Sequence, residues 1–335
     1  MKTAKDWINH FTINNPELQS KFLNLTASDC EEPLKKLGLK ARGGVAYESA
    51  ENRVFGFEDI VVKFYRPGRW STEALKEEVR FLKDLEKEKV SFVRLIGDLN
   101  SWNGLNFIIF EKVKGPVIND RNVLDEDSVR KMVHLVAKIH EVGRKRVSIH
   151  RAQFNPQAMS EGCFEVIKKA GFLPVSLRKR YAAVIGVLVD KFQLLGDIPV
   201  QRIHGDTYSG NILWKPEGPI FMDLDDFQVA PIALDVRLLS FSWRLETLPE
   251  SMDRRERRKI QHNMVLDMYR EVSAFPAIQE KVLPLLGAYR DIQFDAWFSA
   301  RWNEAGFAEN YKDDDITKKQ YWEDSIEGLE DSINQ

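Results

Sequence analysis

The stretch of sequence that decides the fold is HGDTYSGN at His204–Asn211, which is followed by DLD at Asp223–Asp225. The residues between them are typical of a β-hairpin, because short apolar runs at 212–214 and 220–224 flank a turn-forming stretch at 215–219. Pairing of the two predicted strands brings the end of the second strand back beside the loop that precedes the first. We therefore expect Asp206 and Asn211 to lie near Asp223.

Four side chains of this hairpin suit phosphoryl transfer from a nucleotide. Asp206 is a candidate catalytic carboxylate that orients or deprotonates a hydroxyl group, and Asn211 and Asp223 are candidate magnesium ligands. The two-residue period of the second strand places Asp223 and Asp225 on one face, which makes Asp225 a further candidate ligand. The sequence thus predicts an ATP-dependent kinase that uses ATP and Mg²⁺, with Asp206 and Asp223 as its catalytic residues.

Two other interpretations of this stretch stay open. Clusters of aspartates are more often solvated turns, and an isolated His-x-Asp is common by chance. The set of His204, Asp206, Asp223 and Asp225 also resembles ligands for the two metals of a hydrolase. That interpretation needs more histidines than the sequence supplies here, because only one of the six lies in this stretch.

Composition and length narrow the class of protein. The chain has 335 residues, enough for one large or two ordinary domains, and 49 Lys and Arg against 51 Asp and Glu leave a net charge of −2. This balance provides no basic field for nucleic acid. The N-terminus lacks a signal-peptide core, no apolar run approaches the about 20 residues of a membrane span, and two distant cysteines suit a reducing compartment. We expect a soluble, cytoplasmic, monomeric enzyme without a nucleic-acid or membrane partner.

The first third of the chain predicts a small antiparallel sheet with a lysine in its third strand. Apolar runs at 45–47, 53–57 and 60–65 are typical of strands. Lys63 lies inside the third run and must find an anion if it is buried. It is a candidate for the lysine that binds nucleotide phosphates in the third strand of kinases. The alternative is a lysine on an edge strand that reaches water.

A helix is predicted from Thr72 to Lys89, with Ser71 or Thr72 as its N-cap. Its apolar stripe has Glu78 at one edge, whereas Glu77 points well away from the stripe. Glu78 is therefore the candidate partner of Lys63. The alternative is that both glutamates are solvated.

The predicted nucleotide site also includes a phosphate loop and a hinge. The sequence has no G-x-G-x-x-G motif, but Ser49-Ala50-Glu51-Asn52 lies between the first two strands, where a hydroxyl and backbone N–H groups can cap phosphates. An ordinary hairpin turn is an equal alternative. The apolar strand 105–110 leads into the predicted hinge, where the backbones of Glu111 and Val113 are candidates for reading the adenine edge.

The remaining sequence is mainly helical, with predicted helices at 127–142, 177–195 and 251–272. His140 falls on the apolar stripe of the first, which predicts a core histidine. A basic run at 254–259 is a solvated helix face or a docking site for an acidic substrate. We predict an α+β, bilobal, protein-kinase-like fold, with an antiparallel-sheet N-lobe at 1–113 and a mainly helical C-lobe at 114–335.

The chain resembles the bacterial stress response kinase A family, in the aminoglycoside phosphotransferase-like branch of the kinase fold. The resemblance spans most of the chain and is strongest in two blocks, 204–214 and 223–226, which phosphotransferase-like kinases share widely. The narrower family is indicated by further blocks, which are 47–54, 61–67 with Trp70, 139–145 and 149–151.

The resemblance implies roles for matching positions around the catalytic hairpin. Asp206 matches the proton acceptor, Asn211 and Asp223 match the magnesium ligands, and Asp225 matches a residue that helps a second magnesium. Asp235 resembles the aspartate that braces the catalytic loop. Where family members have Cys and then His after Gly-Asp, this chain has Thr207, Tyr208 and Ser209. The hydroxyls of Thr207 and Ser209 are therefore candidates for facing the incoming substrate hydroxyl, which leaves the substrate preference open.

The resemblance also implies roles in the N-lobe and an activity. Ser49 matches the serine that contacts ATP, and Lys63 and Glu78 match the lysine–glutamate pair. Ser/Thr protein kinase activity, autophosphorylation and a role in stress survival are implied. A small-molecule kinase acting on an alcohol or amino alcohol and a nucleotide-binding pseudokinase remain alternatives, although a protein that only binds nucleotide needs no base at Asp206.

Overall fold

The structure is a computed structural model that describes residues 2–12, 15–118, 123–302, 304 and 318–334. The chain forms two compact units. One comprises Met1–Thr12, Ala152–Val200 and Pro276–Gln335, and the other comprises Ile13–Arg151 and Gln201–Phe275. Every candidate site residue lies in the unit formed by Ile13–Arg151 and Gln201–Phe275.

A five-stranded antiparallel sheet forms the N-terminal part of this unit, with the order β1-β2-β3-β5-β4. Its strands are β1 (Val45–Tyr47), β2 (Arg53–Gly56), β3 (Ile60–Phe64), β4 (Leu95–Trp102) and β5 (Leu105–Glu111). Four of the five strands are confirmed as predicted, within a residue or two at their ends. The strand β4 was not predicted, because it is an edge strand in which Gly97, Asp98 and Asn100 interrupt the apolar pattern and whose register shifts between Ile96 and Asn100.

Apolar side chains of the sheet form a core with short N-terminal helices. The helices α2 (Pro16–Leu23) and α3 (Glu31–Lys36), with a 3₁₀ turn at Ala27–Cys30 between them, place Phe22 and Leu34 against this core. The strands contribute Val62, Phe64 and Phe107. The strand order places β3 in the middle of the sheet, which excludes the edge-strand interpretation of Lys63.

The helix α4 (Thr72–Lys87) follows the sheet strand β3, as predicted. The side chain of Ser71 caps the N-terminus of α4 by accepting the N–H of Ala74. The helix ends at Lys87, and Lys89 has a left-handed backbone conformation with φ +56°. The predicted apolar stripe is buried. Glu77 and Glu78 are buried as well, which contradicts the alternative that both glutamates are solvated.

The rest of this unit carries the predicted catalytic hairpin among helices and short strands. These elements are β6 (Val123–Leu124), α5 (Glu126–Gly143), β8 (Gln201–Ile203), β9 (Ile212–Lys215), β10 (Gly218–Phe221), β11 (Gln228–Ala230), α8 (Ile232–Leu239), β12 (Arg244–Leu245) and α9 (Arg254–Val272). The pairs β9–β10 and β8–β11 are antiparallel, and β6 pairs parallel to β12. The predicted helices at 127–142 and 251–272 correspond to α5 and α9.

The second strand of the hairpin ends earlier than the sequence predicts. It stops at Phe221 rather than continuing to residue 224, because Asp223 adopts φ +61° in the left-handed region. A residue in that region breaks the alternation of faces. The prediction that Asp223 and Asp225 share a strand face is therefore wrong, although both still enter the same cluster.

The other unit is helical. It contains α1 (Ala4–Phe11), the two-residue strand β7 (Ala152–Gln153), α6 (Pro156–Ala170), α7 (Arg178–Leu194), α10 (Ala277–Arg301) and α11 (Lys318–Asn334), with a 3₁₀ turn at Val175–Leu177. The predicted helix at 177–195 corresponds to α7. Trp322 is fully buried. A solvated turn that the sequence suggests at Asp313–Asp315 lies outside the described residues. Among the described helices, none combines the length and apolar character that crossing a membrane requires.

The aromatic centre of the sheet core gives a stability prediction. Phe64 is fully buried and packs against Phe55, Trp102 and Phe107. Phe64→Ala should lower the free energy of unfolding by about 3–5 kcal/mol, because it removes buried apolar surface and leaves a cavity. Urea unfolding followed by circular dichroism measures the change. The control is Leu37→Ala, whose side chain is 45% exposed and should change little. Equal effects of the two substitutions would contradict the assigned core.

Candidate active site

Lys63 lies at the centre of the candidate site, on the middle strand of the sheet. Its side chain is 6% exposed, and its Nζ donates to Oδ1 of Asp223 at 2.6 Å. Oε1 of Glu78 and Oδ1 of Asp225 each lie 3.8 Å from the same Nζ. The structure thus brings Lys63 together with three of the carboxylates that the sequence singled out.

The charges of this cluster stabilise one another. Burial disfavours the ammonium of Lys63, but the opposite charges of Asp223, Asp225 and Glu78 outweigh it, so the pKa of Lys63 is raised. Desolvation likewise opposes ionisation of Asp223. The charge and hydrogen bond of Lys63 prevail and hold the pKa of Asp223 below its ordinary value. Lys63 and Asp223 are therefore both charged at neutral pH.

Glu78 has partners that the sequence did not suggest. The hydroxyl of Tyr65 donates to its Oε1 at 2.7 Å, and Nη1 of Arg151 lies 3.5 Å from its Oε2. Burial raises the pKa of Glu78 above its ordinary value, against the opposing charges of Lys63 and Arg151. Tyr65 lies in the 61–67 block and Arg151 in the 149–151 block of the family resemblance. That resemblance was the signal in the sequence that could have pointed to them.

Glu77 anchors the helix α4 from the other side. Its carboxylate accepts the backbone N–H groups of Ile149, His150 and Arg151 at 3.0–3.1 Å. Arg151 is fully buried, donates from Nε to the carbonyl of Phe227 at 3.0 Å, and stacks its guanidinium over Trp70. Adjacent glutamates of α4 thus fix the helix, and the position of Glu78 follows from that anchoring.

Asp235 of α8 braces the catalytic loop. Its Oδ2 accepts the N–H of His204 at 2.8 Å, and its Oδ1 accepts the N–H of Gly205 at 2.8 Å. His140 donates from Nε2 to the same Oδ2 at 2.9 Å, and its Nδ1 accepts from the hydroxyl of Tyr269. His140 is therefore a core histidine, as predicted, with a bracing role that the sequence did not indicate.

The loop has a tight backbone path at Gly205. This residue has φ +84°, and a Cβ atom placed there would lie 2.1 Å from the carbonyl oxygen of Asp226. Only glycine fits both conditions. The glycine of the motif therefore lets the loop pass directly against the segment that carries Asp223 and Asp225.

His204 is bound within the loop. Its Nε2 donates to the carbonyl of Met222 at 3.0 Å, and its Nδ1 accepts the N–H of Asp206 at 3.3 Å. Burial keeps the pKa of His204 below its ordinary value, so the ring is neutral. Both ring nitrogens are used by the main chain, which contradicts the interpretation of His204 as a metal ligand of a hydrolase. Among the residues that the structure describes, no group of three or more His, Cys, Asp or Glu side chains is arranged to hold a metal.

Asp206 and Asn211 lie together at the end of the loop. The Nδ2 of Asn211 donates to Oδ2 of Asp206 at 2.8 Å and to its carbonyl oxygen at 2.9 Å. Neither bond uses the amide oxygen of Asn211. The N–H of Met222 donates to the backbone carbonyl of Asn211 at 2.9 Å, which holds the residue before Asp223 beside Asn211. An amide oxygen and a carboxylate are hard ligands that suit magnesium, which usually takes one or two protein oxygens together with phosphate oxygens.

Asp225 is 4% exposed and has partners in the N-terminal part of the unit. Arg69 forms ion pairs with Asp225 and Asp226, and Nδ2 of Asn52 donates to Oδ2 of Asp225 at 3.2 Å. No sequence pattern singled out Arg69, which lies between the 61–67 block and Trp70. The role of Asp225 toward a second magnesium stays a prediction.

Comparison with known proteins agrees with this geometry. Residues 45–275 match the model of the phosphotransferase enzyme family. The chain belongs to this family. Stress response kinase A of Salmonella paratyphi A and serine/threonine protein kinase RdoA of Salmonella typhimurium are each 28% identical to it over 317 residues, which cover 90% of both chains. A solved structure of an amicoumacin kinase, in complex with AMP-PNP, Ca²⁺ and Ami, has a TM-score of 0.70 and 15% identity over 91% of this chain and 94% of its own.

These similarities confirm the predicted α+β, protein-kinase-like fold and the resemblance to stress response kinase A. The chain is an enzyme that transfers phosphate, as the phosphotransferase family and its kinase-named relatives show. The sequence-based prediction assigns nucleotide-binding residues to the five-stranded sheet and catalytic residues to the braced loop.

Three further nucleotide contacts were predicted in this family member, at Ser49, Glu111 and Val113. The Oγ of Ser49 accepts the N–H of Asn52 at 3.3 Å in the turn between β1 and β2. Glu111 ends β5 and pairs with Arg94, and Val113 follows it as a half-buried residue. Their contacts with ATP, and the lobe boundary near Val113, stay predictions.

The hydroxyls of Thr207 and Ser209 are used inside the protein. Thr207 donates to the carbonyl of Asp235 at 2.6 Å, and Ser209 donates to the carbonyl of Ser242 at 2.5 Å. Both residues are buried. The expectation that these hydroxyls face the substrate is therefore wrong, because the braced loop takes them as internal donors.

The brace gives a second prediction. Asp235→Asn should lower the free energy of unfolding by about 2–3 kcal/mol. The NH₂ group of the asparagine cannot accept a hydrogen bond, so at least one backbone N–H that now donates to the carboxylate would lose its acceptor. Thermal unfolding followed by circular dichroism measures this loss. Asp127→Asn is the matched control, because that carboxylate is 69% exposed at the start of α5. An Asp235→Asn protein as stable as the control variant would refute the bracing role.

Proposed function

We propose that this phosphotransferase is an ATP-dependent Ser/Thr protein kinase of the stress-response type. The observation that carries the proposal is the chain of contacts from Asp206 through Asn211 to the segment of Asp223, whose carboxylate is bound by Lys63. This arrangement joins a candidate base, two candidate magnesium ligands and a phosphate-binding cation. It contains each part that phosphoryl transfer from a nucleotide requires.

Asp206 is the proposed proton acceptor. It takes the proton of a serine or threonine hydroxyl as that oxygen forms a bond to the γ-phosphorus of ATP, while the bond from this phosphorus to the β–γ bridging oxygen breaks and ADP leaves. Asn211 fixes the Asp206 carboxylate through its Nδ2. Bound magnesium would be held by Asn211 and Asp223, and it supplies positive charge to the phosphates.

Lys63 and Glu78 are proposed to serve the same reaction from the N-terminal part of the unit. Lys63 keeps its positive charge because three carboxylates surround it, and a charged lysine is what phosphates require. Glu78 holds the lysine near the site while remaining fixed by Tyr65. In this proposal Ser49, Glu111 and Val113 contact the nucleotide, and Asp225 assists a second magnesium.

A protein substrate is supported by the relatives that share most of the chain, one of which is named as a serine/threonine protein kinase. The alternative is a small-molecule kinase, supported by the likeness of the fold to an amicoumacin kinase. The two functions share the same base and metal ligands, so only the acceptor separates them.

The direct test incubates the purified protein with γ-labelled ATP and magnesium, with and without a generic protein acceptor such as casein. We expect label on the protein itself or on the acceptor, and no label with Asp206→Asn. Transfer to small alcohols or amino alcohols without protein labelling would favour the alternative. A wild-type protein that neither binds nor consumes ATP would contradict the proposed function altogether.

Two substitutions should separate chemistry from metal binding. Asp206→Asn should lower turnover by about 10²-fold or more while leaving the affinity for ATP close to that of the wild type, because it removes a proton acceptor. Asp223→Asn should abolish the magnesium-dependent part of nucleotide binding. Isothermal titration calorimetry with AMP-PNP, with magnesium and with EDTA, measures both affinities. Full activity of Asp206→Asn would rule out the mechanism.

A further inference from the structure

We propose that Arg69 is a positioning residue of the phosphotransfer site, which neutralises Asp225 and Asp226 so that the site accepts the negative charge of a nucleotide. This inference rests on the proposed function, because it concerns the same phosphate site. Arg69 follows β3 and precedes α4, outside every block on which that function was argued.

The contacts of Arg69 join two segments that are far apart in the sequence. Its guanidinium is bonded to Asp225 through Nη1 and to Asp226 through Nη2, and its Nε lies 3.6 Å from Oε1 of Glu51. The Arg69 side chain is 8% exposed and that of Asp225 is 6% exposed. A charge pair this deeply buried is sensitive to the loss of either partner, because the remaining charge has little water to stabilise it.

The charge balance of the site explains why this arginine matters. The carboxylates of Glu51, Glu78, Asp223, Asp225 and Asp226 form ion pairs with Lys63, Arg66, Arg69 and Arg151. Loss of Arg69 would remove one positive charge and leave all of these carboxylates in place. Asp225 would then compete more strongly for Lys63, whose Nζ is already 3.8 Å from its Oδ1.

The orientation of the Arg69 guanidinium indicates which groups it serves. Its Nη1 and Nη2 both face carboxylates of the chain. We therefore assign Arg69 to the positioning of these carboxylates and not to direct contact with phosphate.

The same contacts link the metal segment to the turn between β1 and β2. Glu51 and Asn52 lie in that turn with Ser49, and Asn52 donates to Asp225 at 3.2 Å and to Oγ of Ser49 from its backbone N–H at 3.3 Å. Arg69 thus holds one carboxylate of the turn and two of the metal segment. Its removal should disturb nucleotide binding more than it disturbs the proton transfer at Asp206.

The test measures the dissociation constant of magnesium AMP-PNP by isothermal titration calorimetry. Arg69→Met should weaken binding about tenfold or more, since it leaves buried carboxylates unpaired beside the phosphates. Adding Asp226→Asn to Arg69→Met should recover part of that loss, because the second substitution removes one of the two charges that Arg69 neutralised at a residue that is not a candidate metal ligand. Arg80→Met is the control for the loss of one positive charge, since this α4 side chain is 55% exposed and should change binding less than twofold.

The outcomes separate this inference from the proposed function. If Arg69→Met binds the nucleotide as tightly as the wild type does, the role of Arg69 is overturned and the proposed function stands. A double variant that binds no better than Arg69→Met overturns charge neutralisation and indicates direct phosphate contact. Absence of binding by the wild type itself would overturn both proposals.

A second variant covers loss of folding. Circular dichroism first establishes whether Arg69→Met is folded. If it is not, folded Arg69→Lys decides the question, because lysine keeps the charge and loses the planar fork. Binding within about fivefold of the wild type supports neutralisation, and a larger loss contradicts it.

Discussion

The ion pair between Lys63 and Asp223 is the interaction on which the rest of the site depends. A lysine that is 6% exposed on the central strand of a sheet is stable only with nearby anions, and the structure supplies Asp223, Asp225 and Glu78. Each of these carboxylates is positioned near Lys63 in a different way. Asp223 has a left-handed backbone conformation, Glu78 lies on the anchored helix α4, and Asp225 belongs to a segment that Arg69 holds. The site thus contains several neighbouring carboxylates, whose mutual repulsion is offset by the positive charges of Lys63 and Arg69.

Fixed supports hold this cluster from several directions. Glu77 accepts three backbone N–H groups of residues 149–151, so α4 is tied to the same segment whose arginine meets Glu78. Asp235 holds the loop of Asp206 by two further N–H groups. Groups that are held in position before substrate arrives lose little freedom during the reaction, which is the main source of rate in phosphoryl transfer. The buried carboxylates and arginines that do not touch a substrate therefore still contribute to function.

The sequence predicts the parts of this arrangement that local pattern encodes. The β9–β10 hairpin, the β3 lysine and the apolar stripe of α4 follow from alternation and helical period. The expected proximity of Lys63 to Glu78 is observed, whereas the ion pair of Lys63 with Asp223 was not predicted. Pattern fails where tertiary contacts override it. Glu77 looks solvated because its partners are backbone groups more than 70 positions away. The left-handed conformation of Asp223 ends β10 early, and the polar edge strand β4 has no apolar alternation. Arg69 and Arg151 look like surface residues until carboxylates and aromatic rings are placed around them.

The most direct test of the central ion pair is a crystal structure of the protein with magnesium and a non-hydrolysable ATP analogue. Lys63 should leave Asp223 for the phosphates, with Nζ and Oδ1 separating beyond hydrogen-bonding distance of about 3.5 Å. The contact of Lys63 with Glu78 should remain, and the metal should lie against Asn211 and Asp223. A structure in which nucleotide is bound while Lys63 stays 2.6 Å from Asp223 would contradict the account.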